Sequence, residues 1–327
     1  MNRVFYEKLC GCMEQERVKV QEPMAKHTTF RLGGTADYYV MPKSEEEIRA
    51  LISLCRREEV PYYIVGNGSN LLVSDAGYRG VIIAIGREMA VIEVHGCTIR
   101  AQAGALMSQI ASAALEHKLA GFEFASGIPG TIGGAAVMNA GAYGGEMKDV
   151  IEKVTVLDQD GRSLVLSGEE LEFGYRTSRI MKQGYIVVAV CLRLQKGDRE
   201  DIAAKMEDFK RRRTTKQPLE YPSAGSTFKR PEGYFAGKLI QDTGLRGFAV
   251  GGAQVSEKHS GFVINKGGLQ RKMLIVLCRR FPTGCIRSLA SGWSRKYAVL
   301  EISDLKRIRQ DKRDRHNKKR RYGICGL

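Results

Sequence analysis

GNGSNLLV occupies residues 66–73 and is the first of two glycine-rich stretches on which the fold assignment depends. It follows YYIV at 62–65, whose aromatic and β-branched residues predict a short strand. Small residues in a loop after a strand let backbone N–H groups approach a phosphate closely, and Ser69 and Asn70 can add side-chain hydrogen bonds. The loop is not a Rossmann fingerprint, and no Gly-Lys-Ser/Thr follows as in a P-loop. Taken alone, it is more simply interpreted as a tight turn.

A second glycine-rich stretch makes the first more specific. SGIPGTIGG at 126–134 is followed by NAGAYG at 139–144, and Gly, Ala, Ser and Asn dominate residues 121–145. Apolar residues such as Phe122, Ile132 and Val137 interleave with them, which favours a close-packed loop and helix over a low-complexity segment. Two separate glycine loops suit a diphosphate held between them, although a crowded backbone crossing would use the same residue types.

Strands and helices alternate along the rest of the chain. Ser44 predicts the N-cap of an amphipathic helix over 44–59, with Glu47 in the position of a capping box. Alternating residues around Gly96 predict a hairpin over 91–103, and Asp160-Gly161 predicts another hairpin turn. The sequence turns charged and helical over 197–213, which indicates a domain boundary near residue 200.

Composition and charge exclude several classes of protein. The sequence has no membrane-length apolar run and no apolar signal-peptide region, and its eight cysteines form no pair of C-x-x-C motifs, so we expect a cytoplasmic protein with reduced thiols and no metal site. The net charge is +16, but residues 269–327 hold 17 Lys and Arg against 4 Asp and Glu. The basic character therefore belongs to the tail, and a nucleic-acid-binding arm there is a weaker alternative because it lacks aromatic interleaving.

The glycine loops, together with TTFRLGG at 28–34, resemble the UDP-N-acetylenolpyruvoylglucosamine reductases, also called UDP-N-acetylmuramate dehydrogenases. The resemblance runs over residues 26–268 with the motifs in order. It implies an α+β fold, with a vanillyl-alcohol-oxidase-like (PCMH-type) FAD-binding domain in two subdomains and a C-terminal α/β substrate-binding domain. Another flavoprotein of the same FAD fold, such as an alcohol oxidase, is the alternative among enzymes.

The resemblance also divides the chain and assigns the cofactor site. It implies an N-terminal segment at 1–30, an FAD-binding domain at 31–198 split near residue 88, an incomplete substrate-binding domain at 199–268, and an atypical basic tail at 269–327. FAD is the implied cofactor and NADPH the hydride donor. The implied FAD-binding residues are Gly66, Asn67, Gly68, Ser69, Asn70, Ser126, Gly127, Gly130, Thr131, Gly133, Gly134, Asn139 and Gly141.

Two motifs carry the implied catalytic residues. In GYRTS at 174–178, the resemblance makes Arg176 the group that stabilises the developing enolate, a role suited to a guanidinium that keeps its charge. In SAGSTFKRP at 223–231, it makes Ser226 the general acid that protonates the enol carbon. Without the family context, each motif is more simply a surface turn.

The same resemblance supplies the implied substrate contacts. Tyr175, Arg213 and Arg230 are the implied substrate-binding residues, with the two arginines as ligands of the UDP diphosphate. A packing or hydrogen-bonding role is favoured for His259 over that of a catalytic base. The short segment between Thr177 and Tyr185 resembles the shorter class of these reductases, which lack an extra substrate-covering loop.

The implied reaction uses NADPH to reduce the enolpyruvyl ether of UDP-N-acetylglucosamine to UDP-N-acetylmuramate, in peptidoglycan precursor synthesis. The tail departs from the family, which has a final amphipathic helix and a strand with Leu-Glu-Pro-Glu-Val-Arg, whose second Glu assists catalysis. Residues 290–297 can be back-translated so that a shifted frame reads Val-Arg-Leu-Glu-Pro-Glu-Val, with the glutamate across Arg295 and Lys296. We therefore hypothesise a frameshift close to codon 269, with the last helix and strand lost. A non-catalytic FAD-binding remnant is the resulting alternative.

Overall fold

The computed structural model describes residues 2–228, 233–279 and 298–300. The chain begins with an α/β unit built around a four-stranded sheet of order β1-β2-β5-β3. Strands β2 and β3 both run parallel to β5, and helix α2 makes the crossover that parallel strands require. The elements of this unit are α1 (Arg3–Cys10), β1 (Val18–Pro23), β2 (Thr35–Val40), α2 (Glu45–Arg57), β3 (Tyr62–Val65), β4 (Leu71–Val73) and β5 (Tyr78–Ala84).

The start of α2 agrees with the predicted cap. The hydroxyl of Ser44 accepts a hydrogen bond from the Glu47 amide at 3.3 Å. The Glu47 carboxylate does not close a capping box, because it accepts two hydrogen bonds of 2.6 Å from the buried Arg17 guanidinium. The apolar face of α2 packs on the sheet through Leu51 and Leu54. The first unit is thereby held by a paired buried charge as well as by its core.

The second unit is an antiparallel sheet of order β12-β11-β13-β7-β6. Helix α4 packs across it, and a methyl group at Gly133 would lie 2.8 Å from the Ala103 side chain, so close packing here requires glycine. The elements are β6 (Ile92–His95), β7 (Thr98–Gln102), α3 (Met107–Glu116), β8 (Leu119–Ala120), α4 (Ile132–Val137), β9 (Gly141–Ala142), β10 (Gly145–Glu146), β11 (Ile151–Leu157), β12 (Ser163–Ser167), α5 (Arg179–Gln183), β13 (Ile186–Arg193), β14 (Gln195–Lys196) and α6 (Arg199–Lys216).

The third unit packs a small antiparallel sheet, β15-β16-β17, against two helices. Its apolar cluster includes Phe30, Leu32 and Leu72, which come from the first unit, so the two units share one core. Because Leu72 lies in β4, directly after the first glycine loop, this docking fixes the end of that loop. The elements are α7 (Ala236–Asp242), β15 (Ala249–Val250), β16 (Ala253–Val255), β17 (Val263–Asn265), α8 (Arg271–Arg279) and β18 (Ala298–Leu300).

Helix α8 corrects one expectation about the tail. The frameshift hypothesis predicts that the last helix is lost, but α8 is present and buries Leu274 and Leu277 in the shared core. The Arg271 amide donates a hydrogen bond to Asp75 of the first unit at 2.9 Å. Beyond α8, the three residues of β18 pair in parallel with β4. Residues 290–297, on which the back-translation rests, lie outside the described residues.

Among the described residues, every helix is too short or too polar to cross a membrane.

Candidate active site

A deep cleft of about 2010 Å³ lies along the loops that join the three units. Both glycine loops line it, as do Arg176 and Ser226, and its apolar walls include Tyr62, Ile128 and Met138. Such a cleft has room for a large ligand with a flat ring system and a polar linker. The two motifs that the resemblance assigned to catalysis therefore open onto the same cavity as the predicted cofactor loops.

The first glycine loop is shaped by contacts that no larger residue could make. Gly68 has φ +60°, and a methyl group there would lie 1.9 Å from the carbonyl oxygen of His27. A methyl group at Gly66 would lie 2.4 Å from the Thr131 hydroxyl of the second loop. The Ser69 hydroxyl donates to the carbonyl of Pro129 at 2.7 Å. The two loops thus touch each other directly, through Gly66 and Ser69, and glycine is needed at Gly66 for that contact and at Gly68 for the contact with His27.

The backbone of the first loop presents unused donors to the cleft. The amides of Gly66, Asn67, Gly68 and Ser69 donate no hydrogen bond to any part of the chain that the structure describes. Amides in a folded interior normally have partners, and Gly66, Gly68 and Ser69 are buried or half-buried, so a row of donors without partners indicates a site for an anion. A diphosphate is the ligand that these donors and the neighbouring second loop fit. Together with the apolar walls, they fit FAD.

Most of the predicted cofactor-binding residues lie on this cleft, and three do not. Those that line it are Gly66, Asn67, Gly68, Ser69, Asn70, Gly130, Thr131, Gly133, Gly134 and Gly141. Ser126, Gly127 and Asn139 are not among the lining residues. The Ser126 hydroxyl instead donates to the Glu123 carbonyl at 2.8 Å, and Gly127 packs against the stem of Arg213. Asn139 is 1% exposed and bonded to its neighbours.

Arg176 stands at the tip of a tight turn. Gly174 and Thr177 close the turn by exchanging two backbone hydrogen bonds, and Arg176 adopts φ +56°. Its Nη2 donates to the Gly141 carbonyl at 3.1 Å, while its Nε is buried and lacks a partner in the described residues. A buried guanidinium N–H without an acceptor is costly, so it indicates that a ligand oxygen completes the site.

Ser226 lines the same cleft as Arg176. It forms a bridge with Phe262, and the next amide, that of Thr227, donates to the Gly261 carbonyl at 2.8 Å. Its hydroxyl makes no hydrogen bond within the described part of the chain, which leaves the proton available to a ligand. Backbone pairing at Ser226 and Thr227 therefore fixes the position of the serine, while its hydroxyl remains available to a ligand.

A smaller cleft of about 860 Å³ adjoins the first and shares Arg176 and Ser226 with it. Tyr175, which is 49% exposed, also lies on this second cleft. Basic side chains predominate there over Glu146 and Asp149, which suits a doubly charged diphosphate. The basic residues are Lys148, Lys216, Lys238, Arg246 and Lys258. Sequence reasoning missed these residues because they come from separate elements and form no motif.

Arg213 lies on the large cleft rather than on the basic one, where the sequence analysis expected a UDP ligand. Burial lowers the pKa of its guanidinium, and Tyr143 partly opposes that effect. Gln217, one turn further along, also faces the large cleft, and its buried Oε1 has no partner among the described residues. A half-buried cation and an acceptor without a partner among the described residues therefore both line the large cleft. The other predicted diphosphate ligand, Arg230, lies outside the described residues.

His259 organises its own loop. Its Nδ1 accepts a hydrogen bond from the Gly261 amide at 3.1 Å, and its ring packs edge-on against Phe262 at 4.8 Å. Burial lowers the pKa of the imidazole, so the neutral form that accepts this bond is favoured. These contacts hold the strand that pairs with Ser226, in agreement with the packing role expected from the sequence.

Comparison with known families gives two matches that together cover most of the chain. Residues 36–167 match the FAD binding domain family. Residues 217–283 match the C-terminal domain of UDP-N-acetylenolpyruvoylglucosamine reductase. The second match continues past residue 268, where the sequence analysis ended the resemblance, and includes all of α8.

Individual relatives agree with these matches. The chain is 47% identical over 310 residues to a UDP-N-acetylenolpyruvoylglucosamine reductase of Clostridioides difficile, covering 95% of this chain and 99% of the relative. It is 53% identical over 267 residues to the reductase of Caldanaerobacter subterraneus, covering 82% and 88%. The crystal structure of the reductase from Thermus caldophilus superposes with a TM-score of 0.74 at 35% identity, covering 87% of this chain and 98% of that one.

Proposed function

Because the chain belongs to the family of UDP-N-acetylenolpyruvoylglucosamine reductases, we propose that Arg176 and Ser226 carry its chemistry at the junction of the two clefts. The fold class is the predicted one, an α+β FAD-binding domain in two subdomains followed by a smaller substrate-binding domain. The enzyme is an FAD- and NADPH-dependent oxidoreductase of peptidoglycan precursor synthesis. It reduces the enolpyruvyl ether of UDP-N-acetylglucosamine to UDP-N-acetylmuramate.

The cofactor is held by the large cleft. The amides of residues 66–69, which make no hydrogen bond within the described residues, would bind the FAD diphosphate, and the bond of Ser69 to Pro129 holds the second loop beside them. Arg213 and Gln217 supply a cation and an acceptor on the same side. When bound, the flavin stores the hydride that passes from NADPH to the enolpyruvyl double bond.

The substrate enters from the basic cleft. Its diphosphate binds among the lysines and Arg246, and its enolpyruvyl group reaches the junction where Arg176 and Ser226 meet. Addition of a hydride to the distal vinyl carbon places negative charge on the carboxylate side of the group. Arg176 stabilises that enolate with the N–H groups of a guanidinium that cannot lose its charge. Ser226 then donates its proton to the adjacent carbon, which completes the reduced product.

The observation that carries this proposal is the placement of Arg176 and Ser226 on both clefts at once. One cleft has a phosphate-binding backbone, and the other has clustered cations. A reaction between a bound cofactor and a nucleotide-sugar requires the two ligands to meet, and these two side chains lie where the clefts join. Free cysteines throughout the described residues support a cytoplasmic setting as a further part of the proposal.

The tail departs from the family sequence, and this departure should affect the rate of the second half-reaction. Because α8 is intact and the family match runs to residue 283, we place the change of frame near residue 283 rather than at codon 269. The cofactor loops, Arg176 and Ser226 precede that point, whereas the family's glutamate comes after it. We therefore expect FAD binding and reduction by NADPH to be retained, and the step that consumes the enolpyruvyl substrate to be slow.

The two half-reactions test the proposal on the purified holoenzyme. NADPH should bleach the flavin absorbance near its visible maximum, and the enolpyruvyl UDP-sugar should restore it under anaerobic conditions with formation of UDP-N-acetylmuramate. Bleaching without any restoration would support the non-catalytic alternative. Failure to bind FAD at all would overturn both.

A further inference from the structure

Asn139 occupies the centre of a hydrogen-bonded network behind the wall of the large cleft. Its Nδ2 donates to the Glu146 carboxylate at 3.0 Å and to the Gly174 carbonyl at 3.1 Å. Its Oδ1 accepts from the Lys148 amide at 3.0 Å. Both hydrogens and one acceptor site of the amide are therefore used inside the protein. With a side chain 1% exposed, it has nothing left to offer a cofactor.

The Gly174 carbonyl that Asn139 binds belongs to the turn that carries Arg176. A second hydrogen bond restrains the same turn, because the Arg176 Nη2 donates to the carbonyl of Gly141, two residues after Asn139. The short segment 139–141 thus holds the turn at its base and the guanidinium at its end. These two hydrogen bonds come from residues only two positions apart in the chain.

The backbone at both positions needs such support. Asn139 has φ +43° and Arg176 has φ +56°, in the left-handed region that non-glycine residues seldom adopt. Asparagine tolerates this conformation better than most residues, whereas arginine does not. A strained residue persists only where its surroundings determine it. The bond from Asn139 to Gly174 is one of the restraints that keep Arg176 in this conformation.

We propose that Asn139 is a positioning residue for the reduction of the enolpyruvyl group, acting only through Arg176. It sets the direction of the guanidinium without touching the cofactor or the substrate. This inference rests on the role given to Arg176 under the proposed function. Since Arg176 acts on the substrate and not on NADPH, loss of Asn139 should affect one half-reaction and spare the other.

The test compares N139G with wild type in stopped flow. Glycine accepts φ +43° without strain and removes all three side-chain hydrogen bonds. We expect reoxidation of the reduced enzyme by the enolpyruvyl UDP-sugar to slow by ~10-fold to ~100-fold, the range for a small misplacement of a reacting group. Reduction by NADPH should stay within about twofold of wild type, because positioning lost at Arg176 does not reach that step.

S178A is the matched control. Ser178 is fully buried on the other side of the same turn, where its hydroxyl donates to the Val137 carbonyl at 2.7 Å and caps α5. Its loss should lower the thermal midpoint but leave both half-reactions within about twofold of wild type, since it does not hold Gly174. Equal slowing of reoxidation in N139G and S178A would overturn the proposal, as would normal reoxidation in N139G.

A double mutant separates positioning from general damage. If Asn139 acts through Arg176, N139G should slow reoxidation by less than about twofold in an R176K background, because the group that it positions is already altered. Additive losses would overturn the proposal. Should wild type bleach with NADPH but never reoxidise, the proposed function fails separately. Hydrogen exchange of the Thr177 amide, which closes the turn, then tests the inference alone. An exchange rate in N139G that is no faster than in S178A would overturn it.

Discussion

The single methyl group that separates glycine from alanine decides whether the first loop can hold a diphosphate. In G68A the added carbon would collide with the His27 carbonyl at 1.9 Å, in a residue whose φ is already +60°. The loop must then move, and the row of free amides loses its alignment. We expect the affinity for FAD to fall by at least ~10-fold, equivalent to ~1.4 kcal/mol. Titration of apoprotein with FAD measures the effect.

Gly96 offers a control with the same backbone strain and none of the collision. It has φ +61°, and nothing lies within 4 Å of the position where a methyl group would stand. G96A should therefore cost about 1 kcal/mol of stability from backbone conformation alone, with unchanged FAD affinity. If G96A and G68A weakened FAD binding equally, strain rather than the shape of the cradle would be responsible.

Ser226 is the residue whose loss should separate the two half-reactions most sharply. In S226A no hydroxyl remains to protonate the substrate carbon, so reoxidation by the enolpyruvyl UDP-sugar should slow by ~10²-fold to ~10⁴-fold, as general-acid catalysis predicts. Reduction by NADPH should be unchanged. S112A, in an exposed helical serine bonded only to the Ser108 carbonyl, should leave both rates at wild-type values. A normal reoxidation rate in S226A would remove this serine from the mechanism.

Among the helices, α8 has its first turn hydrogen-bonded to a side chain of the first unit, in addition to its contacts in the shared core. Asp75 accepts a hydrogen bond from the Arg271 amide, one of the donors that a helix leaves unpaired at its start. We expect D75A to cost about 1 kcal/mol, the usual value of an N-terminal cap. Trypsin should then cut faster at Lys272, within α8. D242A removes an exposed pair with Lys238 and should leave that cleavage rate unchanged.

Local signals predicted the elements well because their causes are local. The Ser44 cap, the hairpin around Gly96 and the turn at Asp160-Gly161 each depend on a few adjacent residues, and each is present. The cofactor loops were predictable for the same reason, since glycine spacing within one stretch reflects close backbone contact. Helix α8 was predicted to be lost because the sequence after residue 268 departs from the family pattern, yet Leu274 and Leu277 stand at helical spacing and are buried.

The site was less predictable wherever tertiary packing decides a residue's role. The cations of the basic cleft are scattered from Lys148 to Lys258 and meet only when the third unit docks on the second. Asn139 lies within a glycine motif, so the sequence favoured cofactor contact, but its side chain turns inward to Gly174. Gln217 belongs to no sequence motif, and it is identified by a buried side-chain oxygen that has no partner in the part of the chain that the structure describes.

At the scale of the whole molecule, the three units are linked by contacts that the altered tail does not remove. The shared core joins Leu72 of the first unit to Leu274 of the last helix, and the Phe30 carbonyl accepts a hydrogen bond from Asn265 at 2.9 Å. The described residues that line the two clefts all precede position 283, where the match to the reductase C-terminal domain ends. The chain should therefore fold and bind FAD with either version of the tail.

The residues beyond position 283 should decide the rate of the second half-reaction. Insertion or deletion of one base near that codon, in the direction that restores the family frame, would supply the strand with Leu-Glu-Pro-Glu-Val and its glutamate. We expect reoxidation by the enolpyruvyl UDP-sugar to rise by ~10²-fold or more, the contribution of one catalytic acid or base group, with reduction by NADPH unchanged. The control is the opposite one-base shift at the same codon, which puts the tail into the third reading frame. It replaces the tail to a similar extent but does not supply the glutamate. Equal rates in all three chains would mean that the glutamate is dispensable and that Arg176 and Ser226 suffice.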